Sequence, residues 1–184
     1  MRENFPAQDA VQRILQQWDQ QRPDLDVSAM AILGRLARAQ LLAQKQVNQV
    51  LAGFALSCWE FDVLASLRRA GAPYRLSPTA LFSSLMLSSG TMTRQLQQLE
   101  ARGLILRLSN PHDARSMLVE LSATGLQLID QAIAAHVQNQ HQILAGLAES
   151  DWQALDLSLQ KLLGLFEEKY GEKPEQGISK NPDF

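Results

Sequence analysis

The 184-residue sequence predicts a mainly α-helical fold interrupted once by a short β-hairpin. Three observations carry that prediction. Apolar residues recur at helical spacing along most of the chain, the period drops to two between Leu104 and Leu121, and a hydrophobic fraction of 46% with 20% charged residues supplies a globular core. The length suits one domain, or one domain with extensions. Nowhere do enough apolar residues run together for a membrane-spanning helix, so no membrane partner is expected. Met1 to Asp19 scatter Arg2, Glu3, Asp9 and Arg13 among their apolar residues, unlike a signal peptide. The single cysteine, Cys58, has no internal partner for a disulfide, and the expected compartment is the reducing cytoplasm.

Each element follows from local signals. Val11, Ile14, Leu15 and Trp18 stand at i, i+3, i+4 and i+7, one stripe of a first helix that Arg22-Pro23 ends. A long second helix opens near Asp26 or Ser28, either of which suits an N-cap, and runs to about Gly53 with Met30, Leu33, Leu36, Ala37, Val47, Val50, Leu51 and Phe54 at helical spacing. Ser57 and Glu60 have capping-box spacing, so a third helix spans about Cys58 to Ala70 before Gly71-Ala72-Pro73 stops it. Ser77-Pro78 joins an N-cap to a proline at the first helical position and opens a short fourth helix. The run Leu85 to Gly90 turns the chain into a fifth helix, Ser89 to Arg102. Its Met92, Leu96 and Leu99 form a buried seam, Thr91, Thr93, Arg94, Gln95, Gln97 and Gln98 lie outside, and Gly103 takes the left-handed terminal position.

The period then changes. Leu104, Leu106 and Leu108 alternate with Ile105 and Arg107, and Met117, Val119 and Leu121 alternate with Leu118 and Glu120, giving a two-stranded hairpin with a long polar tip at 110–116. Ser122 caps a helix whose stripe runs from Leu126 to Leu147. Ser150 and Gln153 read as a second capping box, opening a last helix with Trp152 to Tyr170. Residues 171–184, rich in Gly, Pro, Lys and Glu and without period, read as a disordered tail.

The order short helix, tight turn, polar-faced helix, hairpin is that of a winged helix-turn-helix, whose second helix enters the DNA major groove while the hairpin reaches the flanking backbone or minor groove. The chain accordingly divides into N-terminal helices for dimerisation and linkage (1–54), a winged helix-turn-helix domain (55–122), C-terminal dimerisation helices (123–170) and the tail (171–184). The apolar stripes outside the lobe exceed what a lobe of that size covers, so a helical dimerisation region built from the N- and C-terminal helices, and hence a homodimer, is expected. Net charge is -2, but between Arg75 and Arg115 five arginines meet only two acids, Glu100 and Asp113; that segment carries +3, leaving -5 on the rest. A basic module inside an acidic chain points to double-stranded DNA as the partner.

The candidate contacts follow from group chemistry. Ser88, Ser89, Gly90 and Thr91 occupy a helix N-terminus, where free N–H groups and the helix dipole suit a phosphate. Arg94, one turn further in, has the fork that bridges O6 and N7 of guanine and is the leading base-reading residue. Thr93, Gln95 and Gln98 share its face, and Ser77 stands at the start of the preceding helix. A Thr, Gln and Arg face also occurs on ordinary solvated helices, and Asp113 with Arg115 also reads as a surface ion pair.

Four runs carry a family resemblance: Leu76-Ser77-Pro78-Thr79-Ala80-Leu81; Leu87-Ser88-Ser89-Gly90-Thr91-Met92-Thr93-Arg94; Leu99-Glu100-Ala101-Arg102-Gly103-Leu104-Ile105; and Asn110-Pro111-His112-Asp113-Ala114-Arg115. Together they resemble the MarR family of bacterial transcriptional regulators, from roughly Asp26 to Tyr170. The wing signature, Asp-x-Arg followed by an apolar strand and Leu-Ser-x-x-Gly, is fairly specific. The resemblance implies a homodimeric regulator, a repressor of a nearby gene or operon, that binds a palindromic operator. It also implies release when a small aromatic or phenolic ligand binds between the dimer helices and the DNA-binding lobes, and a wing tip in which Asp113 orients Arg115. Family members often carry a second basic residue between the wing Asp and Arg and a Gly after the Arg; Ala114 and Ser116 stand there in this chain.

Other classes are weighed against the same residues. Some relatives sense oxidants through a cysteine, which makes Cys58 a candidate thiol, although the sensing cysteine of the resembled peroxide regulators lies in an earlier helix. A winged helix used for protein contact is the other alternative. His136 and His141 are five apart and do not share a helix face for a metal, and no phosphate loop, nucleophile elbow or zinc signature is present, so no enzyme, catalytic residue, metal or cofactor is expected. Arg35, Arg38 and Trp59 read equally as packing residues or as pocket lining, and no ligand site is assigned.

Overall fold

Capping fixes most helix boundaries in the computed structural model, which describes residues 9–85, 92–110 and 113–171, with the side chains at 82–84, 92 and 113–116 left out. The elements are α1 (Ala10–Gln21), α2 (Ser28–Ala52), α3 (Cys58–Arg69), β1 (Arg75–Leu76), α4 (Pro78–Leu85), α5 (Met92–Ala101), β2 (Ile105–Asn110), β3 (Asp113–Leu121), α6 (Ala123–Leu144) and α7 (Glu149–Tyr170). Asp9 caps α1 by accepting from Gln12 N–H at 2.7 Å. Ser57 and Glu60 form the expected capping box at the start of α3. Ser77 Oγ accepts from Ala80 N–H at 3.2 Å, and Ser122 Oγ from Gly125 N–H at 2.9 Å. Gly103, with φ 69°, ends α5 in the left-handed region.

Two compact units divide the chain, one through Ile143 and one from Leu144 onward. In the first, α3, α4 and α5 enclose a core with the hairpin and α6: Val63, Leu64, Leu67, Leu81, Leu99 and Ile129 are wholly buried. β2 pairs antiparallel with β3 from Ile105 opposite Leu121 to Ser109 opposite Met117. α1 lies on α2 with Val11 buried beside Gly34, held by an Arg35–Asp9 ion pair at 2.8 Å. Ile14 and Trp18 on α1, and Ile32, Leu33, Leu41 and Leu42 on α2, stay exposed. In the second unit Leu144, Leu147, Trp152, Leu155 and Leu159 line a cavity of about 310 Å³, while α7 buries no residue.

Several expectations need correction. The sheet has three strands, in the order β1-β3-β2, because Arg75 and Leu76 pair with Glu120 and Val119; two residues are too few to show a period. The polar tip is shorter than 110–116: Asn110 and Asp113 face each other after a register shift at Ser109/Asn110, so pairing extends to those two residues. Neither Asp26 nor Ser28 is the N-cap of α2. Val27 is, with no side-chain cap bond, while the Asp26 carboxylate accepts from Ser28 N–H at 2.9 Å. The α6 stripe stops at Leu144 rather than Leu147, since Gly146 adopts φ 102°. Ser150 and Gln153 form no capping box. α7 begins at Glu149 behind Ala148, whose carbonyl takes both the Asp151 and Trp152 N–H groups, and the Trp152 indole N–H donates to the Leu144 carbonyl at 3.3 Å.

Candidate nucleic-acid interface

The helix pair α4 and α5 is placed by burial of one face. Leu81 and Leu85 on α4, and Leu96 and Leu99 on α5, turn into the core. Thr93, Arg94, Gln97 and Gln98 are thereby exposed on the opposite face of α5, and Gln95 is half-buried at its edge. Ser77 is half-buried and its hydroxyl caps α4. Ser88, Ser89, Gly90 and Thr91 lie outside the described residues. Asp113 and Arg115 belong to β3, but their side chains also lie outside the described set. The described geometry thus brings Thr93, Arg94 and Gln98 onto one surface.

The arginines of the basic segment differ sharply. Arg75 pairs with Glu120 directly across the β1–β3 ladder. Arg102 pairs with Glu60, and Arg107 approaches Glu100 at 3.9 Å. Arg94 is exposed and, among the described residues, has no ion-pair partner. Local charge therefore overstates what the segment offers DNA, because three of its arginines are neutralised by carboxylates.

Two structural residues escaped the sequence reading. Gly125 sits where α6 meets the start of β2, so close that an added Cβ would stand 2.0 Å from the Leu104 carbonyl oxygen. Its signal was the glycine of the Leu-Ser-x-x-Gly motif. Arg68, paired with Asp130 at 2.7 Å and stacked over Tyr74 at 5.1 Å, ties α3 to α6; nothing local marks it.

A cavity of about 400 Å³ opens beside the core, lined by Phe61, Asp62, Ala65, Ser66, Arg69, Leu85 and Ile133. Desolvation there pushes the Asp62 carboxyl above its ordinary value, an effect that His136 and Arg69 partly offset. The His136 ring packs on Phe61 at 4.8 Å, and its Nδ1 is buried with no hydrogen-bond partner among the described residues. Arg35 is held by Asp9 and Gln12, and Trp59 packs on the core, so neither lines this cavity. Cys58 Sγ accepts from Gln44 Nε2 at 3.0 Å and donates to Asn48 Oδ1 at 2.9 Å. Burial, then the charge of Asp62, pushes its thiol up against the pull of the Gln44 bond, away from the thiolate that reacts with oxidants. No group of three or more potential metal-ligating side chains occurs among the described residues, and none of their helices is long and apolar enough to cross a membrane.

A buried-seam helix with a polar outer face, a short helix before it and a paired hairpin behind it define a winged-helix DNA-binding protein. The MarR family model matches residues 56–117. The transcriptional regulator PecS of Dickeya dadantii is 40% identical over 141 residues, covering 77% of this chain and 85% of that protein. The chain belongs to the MarR family and is a DNA-binding transcriptional regulator, not an enzyme. Among solved structures, a mutant MarR from Escherichia coli complexed with operator DNA superposes with a TM-score of 0.64 at 26% identity, covering 79% of this chain and 97% of that one. BpsR of Bordetella bronchiseptica, whose DNA binding is regulated by 6-hydroxynicotinic acid, shares the fold with a TM-score of 0.62 at 24% identity over 71% and 91% of the two chains.

Proposed function

We propose that the chain is a homodimeric, cytoplasmic repressor that grips a palindromic operator with the exposed face of α5 and releases it when a small aromatic ligand binds. The observation that carries the reading is Arg94, exposed on α5 beside Thr93 and Gln98 and without an acidic partner among the described residues. In this reading Ser88, Ser89, Gly90 and Thr91 hold a phosphate, Ser77 supports them, Gln95 and Gln98 flank the read base, and Asp113 and Arg115 form the wing contact. The operator complex of the Escherichia coli relative supports the DNA partner. Exposed Ile14, Trp18, Leu155, Leu163 and Phe166 support the division of labour between a lobe at 55–122 and flanking dimerisation helices at 1–54 and 123–170.

The effector reading rests on the cavity beside Phe61. Its apolar wall suits an aromatic ring, and Arg69 supplies a cation for an acidic substituent. Regulation of BpsR by an aromatic acid points the same way. A ligand wedged beside the lobe changes the separation of two recognition helices that must sit about 34 Å apart on a palindrome. Selection from a random DNA pool, followed by mobility shift across a salt series, is the test. The expected result is a palindromic consensus whose binding weakens steeply with salt. A protein that enriches no sequence refutes the reading and leaves the protein-contact alternative. Calorimetric titration of aromatic acids and phenols into free and operator-bound protein tests the effector, because linkage requires weaker binding to the DNA-bound form. The raised Cys58 thiol argues against an oxidant sensor.

A further inference from the structure

We propose that Arg102 is a positioning residue, which fastens the C-terminal end of the recognition helix to the corner between α2 and α3, and not a DNA contact; the proposal rests on reading α5 as the DNA-facing helix. The guanidinium of Arg102 bridges two groups on the far side of that corner. Its Nη1 donates to Glu60 Oε1 at 2.5 Å and its Nη2 donates to the Ala55 carbonyl oxygen at 2.8 Å. Glu60 is itself fixed, since its Oε2 accepts from the Ser57 N–H at 2.8 Å and from the Ser57 hydroxyl at 2.9 Å. Both carboxylate oxygens are therefore engaged, one by α5 and one by the N-cap of α3.

The corner is rigid on its own account. Ala55 adopts φ 53°, a left-handed conformation for a residue with a Cβ, and Leu56 N–H bonds back to the Leu51 carbonyl at 3.0 Å. A forked donor held at two points fixes rotation as well as distance, which an ammonium does not. With Glu60 in contact, the charge of Arg102 is neutralised where a phosphate would need it. Hydrogen bonds from Ser57 and the Arg102 charge outweigh burial and hold the Glu60 carboxyl below its ordinary value, so the pair stays ionic at neutral pH. Arg102 lies eight residues beyond Arg94, about 12 Å along the helix. Loosening the anchor therefore tilts the base-reading end and leaves the phosphate-facing charge intact. The same anchor links α5 to the end of α2, so a shift of α2 against the lobe reaches the DNA-reading surface through two hydrogen bonds.

The test compares Arg102→Gln, Glu60→Gln and the double variant on two probes: a duplex recovered by selection with the wild-type protein, and a random-sequence duplex. Affinities are measured over a salt series, with thermal unfolding alongside. Each single substitution is expected to weaken the selected duplex about 10-fold, and the double no further than either single, as two halves of one contact require. Affinity for the random duplex and the salt slope should not change. The contact alternative predicts the opposite pattern: Arg102→Gln weakens both duplexes and flattens the slope by about one unit per subunit, while Glu60→Gln, which removes a negative charge, binds as well or better. That pattern overturns the proposal, as does parallel loss on both probes that tracks the unfolded fraction. Arg102→Lys keeps the charge and the fold but not the fork; it should lose selected-duplex affinity at full salt slope, and wild-type affinity in this variant also overturns the proposal. A wild-type protein that enriches no duplex sinks the DNA-interface reading itself, whereas failure with the wild type bound belongs to Arg102 alone.

Discussion

Replacing Gly125 with alanine tests how α6 is seated against the hairpin. The new Cβ would stand 2.0 Å from the Leu104 carbonyl oxygen, 2.9 Å from its carbon and 3.3 Å from its Cα. All three are backbone atoms, so no rotamer relieves the clash. Reaching even the tightest contact that real Cβ atoms show requires α6 and β2 to part by about 1 Å. That retreat stretches the Ser122 N–H to Leu104 carbonyl bond, 3.1 Å in the native protein, past hydrogen-bond range, and strains the 2.6 Å bond from the Ser122 hydroxyl to the Gly103 carbonyl. Overpacking of this kind costs ~1–3 kcal/mol and the lost bond ~1 kcal/mol, against ~1 kcal/mol gained because alanine is the better helix former. The net is about 2 kcal/mol of destabilisation, a fall in Tm of roughly 4–8 °C for a chain of this size. Gly103 and Leu104 also join α5 to the wing, so operator affinity should fall with it. Gly164→Ala is the control: it is exposed in α7 with nothing within 4 Å of its added Cβ, and should gain up to ~1 kcal/mol from helix propensity. Calorimetry or circular dichroism reads both. A Gly125→Ala protein that melts within about 1 °C of wild type would refute the close-approach argument, since the smallest cost above already moves Tm further.

The other expectations concern DNA, assembly and pH. Arg94→Ala should weaken specific binding by roughly 1–3 kcal/mol and relax one base position per half-site, whereas Arg115→Ala should weaken all sequences and flatten the salt slope by about one unit per subunit; an unchanged consensus after Arg94→Ala removes α5 from the groove. Leu163 is 56% exposed in the protomer, so Leu163→Asp should leave the protomer folded yet weaken the dimer, giving a smaller species in sedimentation at micromolar concentration; a wild-type sedimentation profile for this variant counts against α7 as interface. The raised Asp62 carboxyl binds its proton more tightly in the folded state. Its contribution to stability is thus full below the unfolded value near 3.8 and is lost as pH rises through the folded value. The Tm of Asp62→Asn relative to wild type should accordingly improve from acid into the neutral range, and a difference that stays flat or shrinks contradicts the shift.

Much of this architecture is local and therefore written in the sequence. The capping box at Ser57 and Glu60, the Ser77-Pro78 and Ser122 starts and the Gly103 stop each depend on residues a few positions apart, and each stands where the spacing put it. The change of period at Leu104 marked the paired hairpin, and the buried seam of Leu96 and Leu99 left Arg94 exposed as the pattern required. Gln95 is half-buried because it lies at the seam's edge, where residue type does not fix rotation. Tertiary structure decided what distant residues do to one another. The two-residue strand β1 exists only because β3 offers a free edge, and the Trp152 indole N–H reaches the Leu144 carbonyl eight positions back across the break between α6 and α7. Which arginines of the basic segment meet carboxylates depends on distant partners, Glu60 lying 42 positions from Arg102 and Glu120 lying 45 from Arg75, and the cavity at Phe61 draws its walls from α3, α4 and α6. Hydrophobic period and capping act within a turn or two of chain and can be read along it, while ion pairing, close backbone approach and cavity shape arise between elements whose separation in sequence carries no record of their contact.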